Sequence, residues 1–418
     1  MEFQRLTRMF ASLERSVLRR ILESAGNPLV RIAMAGGPEV SPHSGELVAE
    51  IVISDWRTLA KLVLNPDINF GEAYADGRIT ISGDMVAFLE AIARSRAVRV
   101  GSGLYPWLAE RWLNLTQVNS RRGSRHNIHH HYDISNEFYQ LWLDPQLVYT
   151  CAYFPTPTSS LEDAQYAKLD HVCRKVRLQP GERVVEAGCG WGALALHMAR
   201  QYGVKVKAFN ISHEQIAYAR WRAHHEGLEN RVEFIEDDYR NIHGSFDVFV
   251  SVGMVEHVGR SNYRELGNVI HRTIGDTGRG LLHFIGRNRP WPLSPWIRKH
   301  IFPGGYTPAL REVMERFEPW NFAVVDVENL RLHYARTLEH WLDRFENSAD
   351  EVSRMFDAKF VRTWRLYLAG SVAAFRSGNM QLFQVVFAGS QCQALPWTRA
   401  YLYQATREQD QQWTHATS

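Results

Sequence analysis

The residues best suited to chemistry begin with "EAGCGWG", where Glu186 stands two positions before Gly188 and is followed by Gly190 and Gly192. Alternate glycines let a backbone turn tightly and approach a ligand closely. The spacing is not the G-x-G-x-x-G of dinucleotide folds. An acid two positions ahead of the first glycine is the form that binds S-adenosylmethionine, with Glu186 facing the methionine ammonium directly or through water. A plain structural turn is the other reading. Further on, Asn210 closes a strand-like run and Gln215 follows within one helical turn, where its amide could bond a ribose hydroxyl. Asp238 in "EDDYR" is placed to accept from an adenine amino group, although Asp237 and Asp238 are also good helix caps. A second cluster, "HNIHHHYDISNEFY", holds His126, His129, His130 and His131 just after Arg121, Arg122 and Arg125. Carboxylate or thiolate partners at ligand spacing are missing from it, so no metal is expected.

These residues need elements to hold them. From residue 183 the chain alternates: strand "RVVEAG", helix from Ala193, strand "VKVKAFN", helix "HEQIAYARWRAHHEG", strands "VEFIED" and "FDVFVSVG", helix "YRELGNVIHRTI", strand "GLLHFIG". Such alternation predicts an α/β fold with a parallel, doubly wound, Rossmann-like sheet, whose ligands sit beyond the carboxyl ends of the strands. Ahead of it, "LVAEIVI" and "GRITISG" read as strands and "WRTLAKLVL" and "DMVAFLEAIA" as helices, giving a smaller mixed α/β domain over 26–100. The expected organisation is an amphipathic helix at 1–25, that domain, a basic linker at 101–127, a catalytic domain at 128–405 and a loose tail at 406–418.

The 418 residues, 45% hydrophobic and 22% charged, suffice for two or three globular domains. The net charge of +3 is modest. Yet Arg94, Arg96, Arg99, Arg111, Arg121, Arg122 and Arg125 face only Glu110 between 94 and 125, an excess that could meet phosphates. Four scattered cysteines fit free thiols in a reducing compartment, hence the cytoplasm. No apolar run spans a bilayer or forms a secretory signal. On a helix, Phe3, Leu6, Phe10, Leu13, Val17 and Ile21 share one narrow face opposite Arg5, Arg8, Arg15 and Arg19. That face either docks on its own domain or lies in a membrane interface.

The stretches "HYDISNEFYQLWLD", "YTCAYF", "VVEAGCGWGALALHMA", "SVGMVEHVG", "LLHFIG", "PWIRKHIFPGG" and "HYARTL" resemble those of the cyclopropane fatty acid synthase family, from about Asn127 to Gly389. Residues 1 to 120 resemble, more loosely, the lipid-associated N-terminal domain of the phospholipid-acting members. The resemblance implies methyl transfer from S-adenosylmethionine to a cis alkene of a phospholipid acyl chain. Ring closure follows, with bound bicarbonate as the base. It implies that Cys151, Glu256, His283, the backbone N–H of Ile285 and Tyr334 hold bicarbonate, that Tyr149 and Thr150 touch the methionine end, and that His131, Tyr132 and Asp133 belong to a lid. It also implies peripheral association with the inner face of the membrane, with a homodimer as one candidate assembly. Those roles make chemical sense. An alkene needs no activated nucleophile, but the cation formed on attack needs a base in a pocket that excludes water.

Phe284 and Asn210 stand where threonine is common in the family, and neither removes a proposed catalytic group. Relatives on this scaffold also make methyl-branched, methylene or oxygenated products. Two other classes remain open: a methyltransferase of small molecules or nucleic acid, and a non-enzymatic lipid-binding or cofactor-sensing protein. Nucleic acid is not the expected partner, because the basic stretch lacks interleaved aromatics.

Overall fold

The computed structural model describes residues 2–42, 45–99, 135–315 and 317–403, with side chains of 2–9 and 96–99 excepted. The histidine cluster at 126–131, Tyr132, Asp133, Arg111, Arg121, Arg122, Arg125 and the tail from 406 lie outside the described residues, as do the side chains of Arg96 and Arg99. Arg94 pairs with Glu90 at 2.5 Å.

The larger sheet has the order β10-β11-β9-β8-β5-β6-β7. Its strands are β5 (Arg183–Ala187), β6 (Lys205–Asn210), β7 (Val232–Glu236), β8 (Val248–Val252), β9 (Arg279–Gly286), β10 (Ala323–Asn329) and β11 (Gln381–Ala388). Strands β5 to β9 pair in parallel. Alternate residues face opposite helical layers, so Val184 joins one core and its neighbour Val185 the other. Both faces are covered, which is why these strands read as near-continuous apolar runs.

The sheet is not purely parallel as expected. Strand β11 runs antiparallel to both β9 and β10. A continuous apolar run such as "LFQVVFA" carries no periodicity that reports direction, and antiparallel edges on parallel sheets are common.

The smaller lobe has a sheet of order β2-β1-β3-β4, from β1 (Val30–Met34), β2 (Glu39–Val40), β3 (Ala49–Ile53) and β4 (Ile79–Gly83). Its helices are α1 (Glu2–Ser24), α2 (Trp56–Leu64), α3 (Pro66–Ala75) and α4 (Met85–Arg99). Asp55 caps α2 by accepting from Thr58 N at 2.8 Å. Helix α1 forms over the anticipated span, but among its described side chains the buried face is rotated from the expected one. Leu18 and Leu22 are buried and Val17 and Ile21 half-buried, whereas Phe10 and Leu13 remain 58% and 49% exposed.

The two lobes are in contact. Helices α3 and α4 pack on the helix Ala358–Arg376. A side chain at Gly71 would run into the indole of Trp296. Glu72 accepts from Lys299 at 2.6 Å and from His300 at 2.9 Å, and Arg362 donates to the Ala75 carbonyl at 2.9 Å.

Candidate active site

A cavity of about 1910 Å³ starts at the carboxyl ends of β5, β6, β8 and β9 and continues between the lobes. That is roughly twice the upper end of ordinary small-ligand pockets. At its catalytic-lobe end Gly188 and Gly190 take φ of 84° and 54°, and a Cβ on Gly190 would meet nothing within 4 Å. A left-handed turn facing open space keeps the backbone available to a ligand. Glu186, 2% exposed, reaches the same space with a buried Oε2 that has no hydrogen-bond partner. Burial pushes its carboxyl up to about 8, against the opposing pull of Lys168.

Tyr149, Thr150, Asn210 and Gln215 also line this end. The Tyr149 hydroxyl lies 2.8 Å from that of Tyr367. Asn210 Nδ2 donates to Gln215 Oε1 at 2.6 Å, so the two amides orient each other.

Gly192 and Asp238 do not line the cavity. Gly192, at φ 84°, caps the helix Ala193–Tyr202, and the Phe234 ring fills the place of a Cβ. The Asp238 carboxylate accepts from Arg240 Nε at 2.8 Å and Nη2 at 2.7 Å and caps the turn Tyr239–Asn241. The geometry therefore favours the capping reading of Asp238 and a turn role for Gly192.

Deeper in, the five residues Cys151, Glu256, His283, Ile285 and Tyr334 border the same cavity. Glu256, on the short helix Val255–Val258, accepts from the Ile285 N–H at 2.5 Å through Oε1, while its Oε2 is buried without a partner. Burial pushes its carboxyl up to about 7, opposed by the amide bonds. His283, on β9, has Nδ1 3.0 Å from Gln384 Nε2 and an unpartnered, buried Nε2. Burial, with Lys168, Lys175 and His171 nearby, holds that ring well below its ordinary value and hence neutral. The buried Cys151 thiol donates to the Ala152 carbonyl at 3.1 Å, and burial raises its pKa, so it stays a thiol. Tyr334, on the helix Arg331–Asn347, packs edge-on against Trp341 at 5.9 Å and beside Phe375.

Residues 119–385 match the family described as mycolic acid cyclopropane synthetase. The chain is 34% identical over 346 residues to the cyclopropane-fatty-acyl-phospholipid synthase of Escherichia coli (strain K12), covering 82% of this chain and 89% of that one. It is 35% identical over 367 residues to a probable fatty acid methyltransferase of Pseudomonas putida, covering 84% and 91%. The chain belongs to the cyclopropane synthase family. Its catalytic lobe is also similar to the crystal structure of mycolic acid cyclopropane synthase CmaA1 complexed with SAH and CTAB, with a TM-score of 0.60, 29% identity and coverage of 63% of this chain and 97% of that one.

This cyclopropane-synthase-family member is an S-adenosylmethionine-dependent methyltransferase. The residues present fit that cofactor: an orphaned buried carboxylate oxygen on Glu186 suits an ammonium, and Gly190 leaves room for a close ligand.

The synthase site contains residues that sequence reasoning passed over. Lys168 is 2% exposed and donates from Nζ to Thr150 Oγ1 at 2.9 Å, beside the Glu186 end of the cavity. Its signal was legible, since Leu161, Ala164, Lys168 and Val172 share one helical face and the lysine sits on an otherwise apolar stripe. Gln384 is polar in the middle of a fully buried strand. Trp142, Trp341 and Trp364 surround Tyr149 and Tyr139 in an aromatic cluster that sequence spacing alone could not assemble. Among the described residues no group of three or more His, Cys, Asp or Glu side chains is placed to hold a metal ion.

Proposed function

We propose that this methyltransferase acts on the cis double bond of an unsaturated acyl chain of a membrane phospholipid and closes a cyclopropane ring. The observation that carries the reading is a pair of orphaned buried polar atoms, Glu256 Oε2 and His283 Nε2, bordering a long and mostly apolar cavity. Away from the glycine turn the smaller lobe contributes Val30, Ile32, Ile51, Ile53, Phe88 and Ile92, which suit hydrocarbon, with Arg20 and Asp67 as its charged lining residues.

When bound, S-adenosylmethionine supplies an electrophilic methyl. Glu186 and the turn at Gly188 and Gly190 hold its methionine end, with Tyr149 and Thr150 against it. Asn210 and Gln215 take its ribose. The apolar walls align the alkene and exclude water, which would otherwise trap the carbocation left on the chain after attack. Ring closure requires loss of a proton from the newly attached carbon, and bicarbonate supplies the base. His283 and Tyr334 donate to that anion and Cys151 borders it. Glu256, acceptor-only when ionised, orients it through its hydroxyl. Ile285 N–H serves either Glu256 or the anion. Buried charge of opposite sign between the acid and the forming cation lowers the barrier.

We also propose that the protein is held peripherally at the cytoplasmic face of the membrane, a reading supported by the exposed Phe10 and Leu13 beside exposed Arg15 and Arg19 on α1. No helix among the described residues is long and apolar enough to cross a bilayer. A methyl-branched or methylene product on the same scaffold is the second reading, favoured by the similarity to a protein named as a fatty acid methyltransferase. Expression in a bacterial host lacking such an enzyme, followed by mass spectrometry of its phospholipids, tests both. Acyl chains heavier by one CH2 and resistant to hydrogenation support the ring. Hydrogenation by two further hydrogens supports a methylene product, a chain already saturated and branched supports a methyl product whose cation took a hydride from a reductant of the host, and unmodified lipids would overturn lipid methylation altogether.

A further inference from the structure

Three side chains stand in one row across the antiparallel edge of the large sheet. His283 on β9 is directly opposite Gln384 on β11, and Gln384 is directly opposite Glu328 on β10. Directly opposed residues project from the same face. Gln384 is completely buried; its Nε2 lies 3.0 Å from His283 Nδ1, while its Oε1 is buried without a hydrogen-bond partner, so the bond to His283 is the one that orients the amide. At the outer end of the row, Glu328 is turned toward helix Leu161–Lys175, accepting from His171 Nε2 at 2.8 Å and pairing with Lys175 Nζ at 2.6 Å. At the inner end, His283 Nε2 is buried and unpartnered at the cavity wall.

We propose that Gln384 is a positioning residue that fixes the His283 tautomer, so that the ring presents an N–H rather than a lone pair to the anion held against Glu256. The reasoning is a matter of donors and acceptors. A neutral imidazole carries one proton, and the partner of one nitrogen decides the role of the other. An amide N–H pointed at Nδ1 requires a lone pair there, which leaves the proton on Nε2. Were the amide reversed, its oxygen would demand Nδ1–H, and a bare Nε2 would face the anion and repel it. Protonating both nitrogens is no remedy, because His283 is buried and Lys168, Lys175 and His171 add positive charge around it. The ion pairs of Glu328 keep that carboxylate engaged with His171 and Lys175, away from competition for the amide. A glutamine in the centre of the wholly buried strand "QLFQVVFA" therefore has a reason to be there, although apolar residues suit such a place better.

This inference rests on the reading of His283 as a donor to bicarbonate, and the test separates the two. Gln384→Leu keeps approximate size and removes the donor; Gln384→Glu, read at a pH where the new carboxyl is ionised, supplies only acceptors and so selects Nδ1–H. With purified enzyme and mixed phospholipid vesicles, both substitutions should raise the KM for added bicarbonate on the order of tenfold, the usual scale for losing a group that orients a histidine. SAH affinity and Tm should stay near the parental values. In parallel, 15N chemical shifts of histidine-labelled wild-type enzyme, with the His283 signal assigned by its loss in His283→Ala, should show protonated Nε2 and bare Nδ1; Gln384→Glu should reverse that pattern. If His283→Ala retains parental activity and bicarbonate dependence, the donor role of His283 fails. If His283→Ala is impaired and the wild-type ring carries its proton on Nε2, but both Gln384 variants keep the parental bicarbonate KM, the positioning role of Gln384 fails alone; a wild-type ring protonated on Nδ1 would sink the donor role of His283 and the positioning role together. The wild-type 15N measurement stands even if neither Gln384 variant folds.

Discussion

The two ends of the cavity obey opposite rules. Around Glu186, Glu256 and His283 the wall holds buried polar atoms with no partner, each of which costs stability unless a ligand completes it. Around Val30, Ile32, Ile51 and Phe88 the wall is hydrocarbon from a different lobe, although Arg20 and Asp67 of that lobe also line the cavity. Unsatisfied groups cluster where charge develops, whereas plain apolar walls continue for the length of the chain being held. On the proposed reading, the smaller lobe contributes to the selection of substrate length while the chemistry stays with the catalytic lobe, so one should be alterable without the other.

The largest way to break this division is at the polar end. Glu256→Gln keeps the shape but lets the amide donate, so the base should be held poorly and turned wrongly. Cyclopropane formation should fall by on the order of a hundredfold or more, while SAH affinity measured by calorimetry stays near parental. Because burial holds Glu256 up at about 7, wild-type kcat/KM should also decline as the pH drops below about 7, where the carboxyl becomes protonated and ceases to be a pure acceptor. Measured at saturating S-adenosylmethionine, the part of that acid limb due to Glu256 should be missing from the variant's residual activity. A parental rate in Glu256→Gln would remove the polar end from the mechanism.

The apolar end should respond in selectivity instead. Ile51→Phe adds bulk to the wall on β3 and excludes part of a long acyl chain. Each one or two methylenes denied burial is worth about 1–3 kcal/mol, so the kcat/KM ratio of longer to shorter chains should drop about tenfold or more. Competition between vesicle-borne lipids of different acyl length measures it. An equal loss for all lengths would mean that this lobe does not hold the chain.

A smaller effect is expected outside the cavity. Phe10 and Leu13 are exposed on α1, beside exposed Arg15, Arg19 and Arg20. Replacing Phe10 and Leu13 by serine should weaken sedimentation with anionic vesicles by a few-fold to tenfold, given about 1.5–3 kcal/mol for a fully buried side chain of this size and less for partial insertion. Raising salt should weaken wild-type binding as well, since exposed charges are screened over about 8 Å at physiological ionic strength. Activity on detergent-dispersed lipid should be unchanged, and unchanged vesicle binding would leave α1 as a docking helix alone.

Much of this was legible in the sequence, for physical reasons. The alternation of strands and helices marked β5 to β9, and the left-handed turn had to use glycine at 188 and 190. Resemblance brought Cys151, Glu256, His283, Ile285 and Tyr334 together, and the fold puts all five on one cavity. Periodicity does not encode strand direction, so the antiparallel β11 was missed, and with it the alignment of Gln384 against His283. Asp238 looked equally fit for adenine or for capping, because a carboxylate accepts from any donor; the nearby Arg240 decided it. On α1 the expected face included Phe10 and Leu13, which are exposed, and the residues that dock are Leu18 and Leu22 with Val17 and Ile21 half-buried beside them, because helical periodicity marks an apolar stripe but not which part of it meets a partner.

The smallest expected effect, and the sharpest on how the polar end is tuned, concerns Glu186. Burial raises its carboxyl from an ordinary 4.5 to about 8. The free enzyme at neutral pH therefore holds mostly the protonated acid. The cofactor's ammonium favours the carboxylate, so binding should release a proton, and SAH affinity should rise with pH up to about 8 and then level off. The sign follows from linkage: the bound state carries fewer protons, so raising the pH favours it. Calorimetry at pH 7 in phosphate and in Tris should give binding enthalpies that differ by a fraction of one proton's worth of buffer ionisation. Glu186→Gln should abolish the part of that difference due to this carboxyl. Lys168 provides the second handle, because its positive charge is the main force pulling the Glu186 carboxyl back down. Lys168→Met should move the rise in affinity to higher pH, by lifting the carboxyl further. If Lys168→Met leaves the pH profile where it was, or moves it to lower pH, then Lys168 serves Thr150 and the loop around it rather than the charge on Glu186.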